Sequence, residues 1–146
     1  MSAPDTPMRA VTLRTDSRLA NVELVGRAVR GLCGAAGMDG RDCAHVELAL
    51  VEAVNNVVRH AYHGRAGGLV EVVFVAEPDR ISLEVADEGE PMAPRPAPVI
   101  DFDPDDLQAL PEGGMGLYLI HSVMDSVEYH SHGGRNSLVM TRRIAA

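Results

Sequence analysis

Apolar residues recur along this chain with two alternating periods, and the switches between them mark its elements. Residues 8–15, MRAVTLRT, alternate well enough to predict a first strand suited to a sheet edge. Over 16–37 the spacing lengthens. Leu19, Val22, Val25, Val29 and Leu32 fall three or four apart, as one face of a helix requires, with Asp16 or Ser17 available as N-cap and glycines closing the pattern. A second helix is expected over 39–64, stopping at Gly64. Residues 67–89 return to period two as a pair of strands joined at Glu77–Arg80, where Pro78 and Asp79 suit a turn. Residues 113–125 predict an apolar helix opening on glycines, and 126–132 with 136–144 predict a hairpin around GGRN, where Gly and Asn can take positive φ.

Between these lies 90–113, a segment with six prolines, several acids and no sustained period. Loops this long inside a compact domain are usually functional lids or disordered segments. The element order is therefore β-α-α-β-β, a long loop, then α-β-β. Short turns favour antiparallel pairing and gather the helices on one side, so the pattern predicts a two-layer α/β sandwich. Its sheet should be mixed but mostly antiparallel, with the helices on one face. A length of 146 residues, without internal repeats, fits one domain over 1–146.

Composition narrows what such a domain can do. The net charge of −8 argues against a nucleic-acid surface, which needs clustered positive charge. All 13 basic residues are arginine, which removes the P-loop lysine, the nucleotide-pairing lysine of ordinary protein kinases and Schiff-base chemistry. With aromatic content of 3%, stacking platforms for bases are not expected either. No run approaches the ~18 apolar residues of a membrane span, and no leader pattern opens the chain, so a cytoplasmic location is expected. Cys33 and Cys43 lack metal-type spacing and suit buried, reduced thiols.

Three stretches carry chemistry. In HVELALVEAVNNVVRHAYHG (45–64), Glu52, Asn56, Arg59 and His63 share an arc of roughly 60° on a continuous α-helix. Leu50, Val54, Val57 and Ala61 lie opposite, flanked by Val51 and Val58. In VADEGEP (85–91), an apolar strand ends in Asp87, Glu88 and Gly89. In EGGMGLYLI (112–120), glycines lead straight into a helix, whose unpaired N–H groups and positive dipole end suit a phosphate. Taken singly, each stretch also fits an ordinary solvated face, strand end or loop.

Together, E-x-x-x-N on a helix, D-x-G after a strand, a long lid and G-G-x-G-L opening a helix resemble the GHKL ATPase signature. Within that superfamily, ALVEAVNNVVRHAY and GGMGLYLIHSVMDSVEY are most similar to the bacterial anti-sigma-factor serine/threonine kinases of the RsbW and SpoIIAB type. The resemblance implies the Bergerat (GHKL) fold, with ATP and Mg²⁺ as ligands and an ATP lid at about 90–113. It implies that Asn56 ligates Mg²⁺ and that Glu52 is the base toward an attacking hydroxyl. It implies that Asp87 accepts from the adenine amino group and that Gly89 leaves room for the base. Gly113, Gly114, Met115, Gly116 and Leu117 would sit at the lid's end, where backbone groups contact phosphate. Arg59 would steady a phosphate or pair with an acid on a partner protein.

This chain departs from the pattern in places. Glu90 and Pro91 stand where the family often has a second glycine, and without a plain Gly-Thr pair on the last strand, Asn136 or Ser137 is the substitute near adenine. The implied activity is ATP-dependent phosphorylation of a STAS-domain anti-anti-sigma protein, with sequestration of a sigma factor when that antagonist is missing. The implied assembly is a homodimer with no direct nucleic-acid or membrane contact. A binding module that holds ATP and acts by docking alone fits the same residues. His60 and His63 are three apart without a convincing third metal ligand, and His45, His130 and His132 carry no catalytic context.

Overall fold

The computed structural model describes residues 9–92 and 116–144. Strand β1 (Arg9–Asp16) is followed by helices α1 (Leu19–Ala35) and α2 (Gly40–Asn56), and α2 runs on into a π turn (Val57–Ala61). Strands β2 (Leu69–Ala76) and β3 (Arg80–Asp87) come next, then helix α3 (Gly116–Val123) and strands β4 (Ser126–His132) and β5 (Arg135–Arg143). The sheet order is β1-β2-β3-β5-β4 and every neighbouring pair is antiparallel. The expected mixed sheet is therefore corrected among the described residues: α3 and β4 carry the chain past the edge, and β5 turns back between β4 and β3. The first strand lies at an edge, as its pattern suggested.

One face of this sheet builds the core. Val70, Val72 and Phe74 of β2, Ile81, Leu83 and Val85 of β3, and Leu138 and Met140 of β5 all point toward the helices. They meet Val22, Val25 and Val29 of α1, Val46, Leu50 and Val54 of α2, and Ile120 of α3. Each fully buried branched side chain stabilises the fold by about 1.5–3 kcal/mol relative to exposure, so the layers are held chiefly by this seam. On the opposite face Glu71 accepts from Arg14 (2.9 Å) and Arg135 (3.1 Å), and Arg135 also reaches Glu84 (3.3 Å). Those two arginines hold the Glu71 carboxyl below the usual range, Arg14 contributing most. Cys33 and Cys43 are free and buried, and burial pushes the Cys33 thiol up to about 12, which keeps it protonated.

Several local expectations need correcting. The N-cap of α1 is Arg18, which makes no side-chain cap bond. Asp16 instead accepts from the Arg18 and Asn21 side chains (2.9 and 3.0 Å), while Ser17 is turned inward, donating to Arg65 O and accepting from Gly68 N at 3.0 Å. Ser17 thereby ties the β1–α1 corner to the loop before β2. Leu19, placed on the core face by its spacing, is 54% exposed because the helix begins only there. In the last hairpin Gly133 and Gly134 take the positive φ (60° and 81°), and Asn136 belongs to β5.

The largest departure is at the end of the second helix. Asp39 caps α2 by accepting from Asp42 N at 2.8 Å, but the α-helical pattern stops at Asn56. Tyr62 N donates to Val57 O at 3.0 Å and Gly64 N to Val58 O at 2.8 Å, with Gly64 at φ +77°. Widening of this kind is typical of functional sites. Here Tyr62 supplies a tertiary cause: its hydroxyl donates to Leu69 O (2.7 Å) and accepts from Glu88 N (2.8 Å), so the chain must reach both β2 and the end of β3. Among the described residues, no helix is long and apolar enough to cross a membrane.

Candidate functional site

The π turn, the end of β3 and the start of α3 enclose a cavity of about 400 Å³. Its walls include Glu52, Asn56, Arg59, His60 and His63 from α2 and its extension, and Asp87 from β3. Gly116 and Leu117 close one side, and Val85, Leu138 and Tyr129 supply apolar floor and wall. The polar stripe of the second helix thus faces a cavity, while Leu50, Val54 and Val58 are buried behind it and Val57, also expected on the core face, reaches the cavity wall. Ala61, expected on the core face, lines the cavity instead because the π turn rotates it round.

Glu52 and Asn56 sit together beneath Gly116. A Cβ on Gly116 would lie 2.8 Å from Glu52 Oε2 and 3.4 Å from both Asn56 amide atoms, so glycine lets α3 begin here without displacing the Glu52 carboxylate. Burial pushes the Glu52 carboxyl above the usual range, and the nearby Arg59 guanidinium pulls it part of the way back. Arg59 itself is exposed toward the cavity. An amide oxygen beside an open space, next to a carboxylate and a guanidinium, is a donor set that suits a hard cation carrying a polyphosphate.

At the other end Asp87 is 5% exposed and pairs across the strands with Asn136. Its Oδ1 accepts from Gly89 N (2.9 Å) and Asn136 Nδ2 (2.8 Å). Burial raises its carboxyl, and those two donors, with Arg135, oppose the rise. Gly89 packs against the π turn: a Cβ there would lie 2.7 Å from the Ala61 carbonyl carbon and 2.9 Å from its Cβ. Beside it Glu90 N donates to Ala61 O at 2.9 Å, and the His63 ring meets Glu90 Oε2 at 2.6 Å over the cavity mouth. Tyr129 OH accepts from Met92 N at 2.8 Å, tying β4 to the chain leaving β3.

The fold therefore brings Glu52, Asn56, Arg59, Asp87, Gly116 and Leu117 to one cavity, with Gly89 and Asn136 immediately behind its wall. Ser137 is not brought there. Side chains alternate along β5, so it lies on the far face of the sheet and donates to Glu84 Oε2 at 3.3 Å. Gly113, Gly114, Met115 and all of the lid at 90–113 except Glu90–Met92 lie outside the described residues. His63, part of the polar stripe, and His60, weighed with it as a pair lacking a third metal ligand, both line the cavity, whereas Tyr129 was not singled out by the sequence. Tyr129 follows only from the β4–β5 register that sets it opposite Leu138. Among the described residues no three His, Cys, Asp or Glu side chains form a metal cluster.

Residues 15–142 match the family model described as "Histidine kinase-like ATPase domain". The Staphylococcus aureus serine-protein kinase RsbW is 29% identical over 128 residues, covering 85% of this chain and 80% of that protein. The Listeria monocytogenes serine-protein kinase RsbW is 28% identical over 137 residues, covering 92% and 87%. Among solved structures, the RsbU and RsbW domains of Rv1364c from Mycobacterium tuberculosis superpose with a TM-score of 0.60 at 20% identity. That match covers 95% of this chain and 33% of the solved one, and it speaks to the fold.

Proposed function

The chain belongs to the histidine kinase-like ATPase domain family, and from that premise we propose that it is an ATP-dependent protein serine kinase and anti-sigma factor of a cytoplasmic partner-switching system. Its substrate is a serine hydroxyl on a STAS-domain anti-anti-sigma protein, and it sequesters a sigma factor when that antagonist is unavailable. The chain acts as a single domain over 1–146 and as a homodimer. The observation that carries the reading is the cradle under Gly116, where a carboxylate and an amide share one opening that a single methyl group would fill. Similarity to two serine-protein kinases over most of the chain supports the choice of acceptor.

The geometry supports the following division of parts. The nucleobase end is Asp87, an acceptor for an exocyclic amino group. The phosphate end is the start of α3, where first-turn backbone N–H groups from Gly116 and Leu117, with Gly113, Gly114 and Met115 before them in the chain, would meet the phosphates, and Arg59 lines the same cavity. Asn56 would hold Mg²⁺, which when bound neutralises charge on the phosphates. Glu52 takes the serine proton as the oxygen bonds to the γ-phosphorus and the bond to the β-phosphate oxygen breaks, releasing ADP. Phosphoryl transfer depends mainly on positioning and charge neutralisation, and a lysine-free site obtains both from arginine, metal and backbone.

Radiolabelled ATP, incubated with this protein and the STAS-domain protein that co-purifies with it, tests the proposal. Transfer to a partner serine is expected. Binding of ATP and partner without any transfer would replace the kinase with a docking module, and an acid-labile phosphohistidine would point to a different acceptor.

A further inference from the structure

Asn136 is 2% exposed and both of its amide protons are committed within the protein. Its Nδ2 donates to Asp87 Oδ1 at 2.8 Å and to Gly89 O at 2.9 Å, and its Oδ1 accepts from Ser131 Oγ at 2.6 Å. This orientation of the amide is set by Asp87 Oδ1 and Gly89 O, because the reverse would turn its oxygen against two acceptors. Asn136 thus has no amide proton left to offer a ligand. Asp87 Oδ1 is likewise saturated, since it also accepts from Gly89 N at 2.9 Å. Among the described residues no donor reaches Asp87 Oδ2. Asp87 lines the cavity, and Oδ2 is its oxygen without a donor among those residues, which makes Oδ2 the acceptor available to a ligand there.

We propose that Asn136 is the positioning residue that sets base specificity: by fixing Asp87 Oδ1 it reserves Oδ2 as a lone acceptor, which admits a base with a 6-amino group and rejects one with a 6-carbonyl. The inference rests on the nucleotide reading above. A carbonyl oxygen facing Oδ2 would meet a second acceptor, and desolvated acceptor pairs are strongly disfavoured. Rejection requires that Asp87 stay ionised, since a protonated carboxyl could donate to the carbonyl, and that it stay unrotated, so that Oδ2 keeps facing the base. Burial favours the proton, and the Asn136 bond opposes it. Ser131 contributes by holding the amide in register from β4.

The test compares dissociation constants of the full chain for ATP, inosine triphosphate and purine-riboside triphosphate. In wild type, ATP should bind most tightly and the inosine nucleotide most weakly. Asn136→Leu should reduce the ATP-to-inosine preference by about tenfold or more, as expected for removal of a hydrogen bond to a charged group. Inosine nucleotide binding by that variant should strengthen as pH falls and Asp87 takes a proton. Asn136→Thr, which restores one donor, should recover part of the preference, and Ser131→Ala should show a smaller loss. These two decide the matter if Asn136→Leu does not fold. Equal weakening of all three nucleotides in folded variants, with the preference intact, would overturn the inference, as would wild type that does not distinguish ATP from the inosine nucleotide. Wild type that binds none of the three would instead remove the nucleotide reading itself.

Discussion

Gly89→Ala probes the joint on which the cavity depends, and its cost can be worked from the packing. The new methyl would lie 2.7 Å from the Ala61 carbonyl carbon and 2.9 Å from the Ala61 Cβ. Carbon–carbon contacts are comfortable at about 3.5–4.0 Å, so β3 and the π turn must separate by roughly 0.8–1 Å. The Ala61 carbonyl group is backbone, so no rotamer relieves the clash. Overpacking of this kind costs about 1–3 kcal/mol. The Glu90 N to Ala61 O bond spans the same joint, and losing it adds about 0.5–1.5 kcal/mol. The sum is about 2–4 kcal/mol, which for a chain of this size lowers the melting temperature by roughly 6–15 °C. Because Gly89 N also holds Asp87 Oδ1, ATP affinity should fall at least about tenfold. Gly31→Ala is the control: nothing lies within 4 Å of its Cβ, and it sits inside α1. Helix propensity should make it neutral to about 1 kcal/mol stabilising. Circular dichroism melts without nucleotide and calorimetry with ATP measure both. A Gly89→Ala protein that melts within about 2 °C of wild type and binds ATP as tightly would refute the reasoning.

Other positions separate binding from chemistry. Asn56→Ala should weaken Mg-ATP much more than free adenosine in calorimetric titrations, and equal weakening of both would remove the metal assignment. Glu52→Gln should lower phosphoserine formation by about 10²–10⁴-fold with ATP affinity nearly unchanged, and a wild-type rate would exclude Glu52 as base. Gly116→Ala should displace the Glu52 side chain, whose tip lies 2.8 Å from the added Cβ, and reduce transfer more than it reduces stability. For pH, burial raises the Glu52 pKa and Arg59 lowers it, and the base form exists only above that pKa. The acidic limb of kcat/KM should therefore lie above the ordinary glutamate range, and Arg59→Gln should move it higher still. A limb that stays in place would show that another group titrates.

The sequence pattern was most informative where one period runs unbroken. The strand pairs 69–76 with 80–87, and 126–132 with 135–143, fall within a residue or two of their expected limits, because alternation and a turn signal specify them together. The polar stripe was legible for a similar reason: Glu52 and Asn56 are one turn apart on regular α-helix. Beyond Asn56 the reading drifted, since a helix of constant pitch was extended through Val57–Ala61. No local residue preference announces the π turn. Its cause is the tether from Tyr62 to Leu69 and Glu88, which is a tertiary contact. Ser17 misled for the same kind of reason, as a good capping residue claimed by a loop 48 residues away. Asn136 could be suspected from the missing Gly-Thr pair, but its partner depended on the β3–β5 register.

The two carboxylates of the cavity show how one environment supports two roles. Burial raises both Glu52 and Asp87, which by itself would favour the protonated form in each. Compensation differs. Asp87 receives two N–H donors on one oxygen, so its charge is stabilised and its orientation is fixed. Among the described residues no hydrogen-bond donor reaches Glu52, and only the field of Arg59 opposes burial. A carboxylate held by donors makes a dependable acceptor but a poor base, because the donors weaken its hold on a proton. One that is desolvated, rotatable and opposed by a single movable cation keeps its basicity and can swing toward an incoming hydroxyl. The sequence difference behind this is small: Asp87 ends a strand whose neighbour offers an amide, whereas Glu52 faces a glycine that offers no side chain at all.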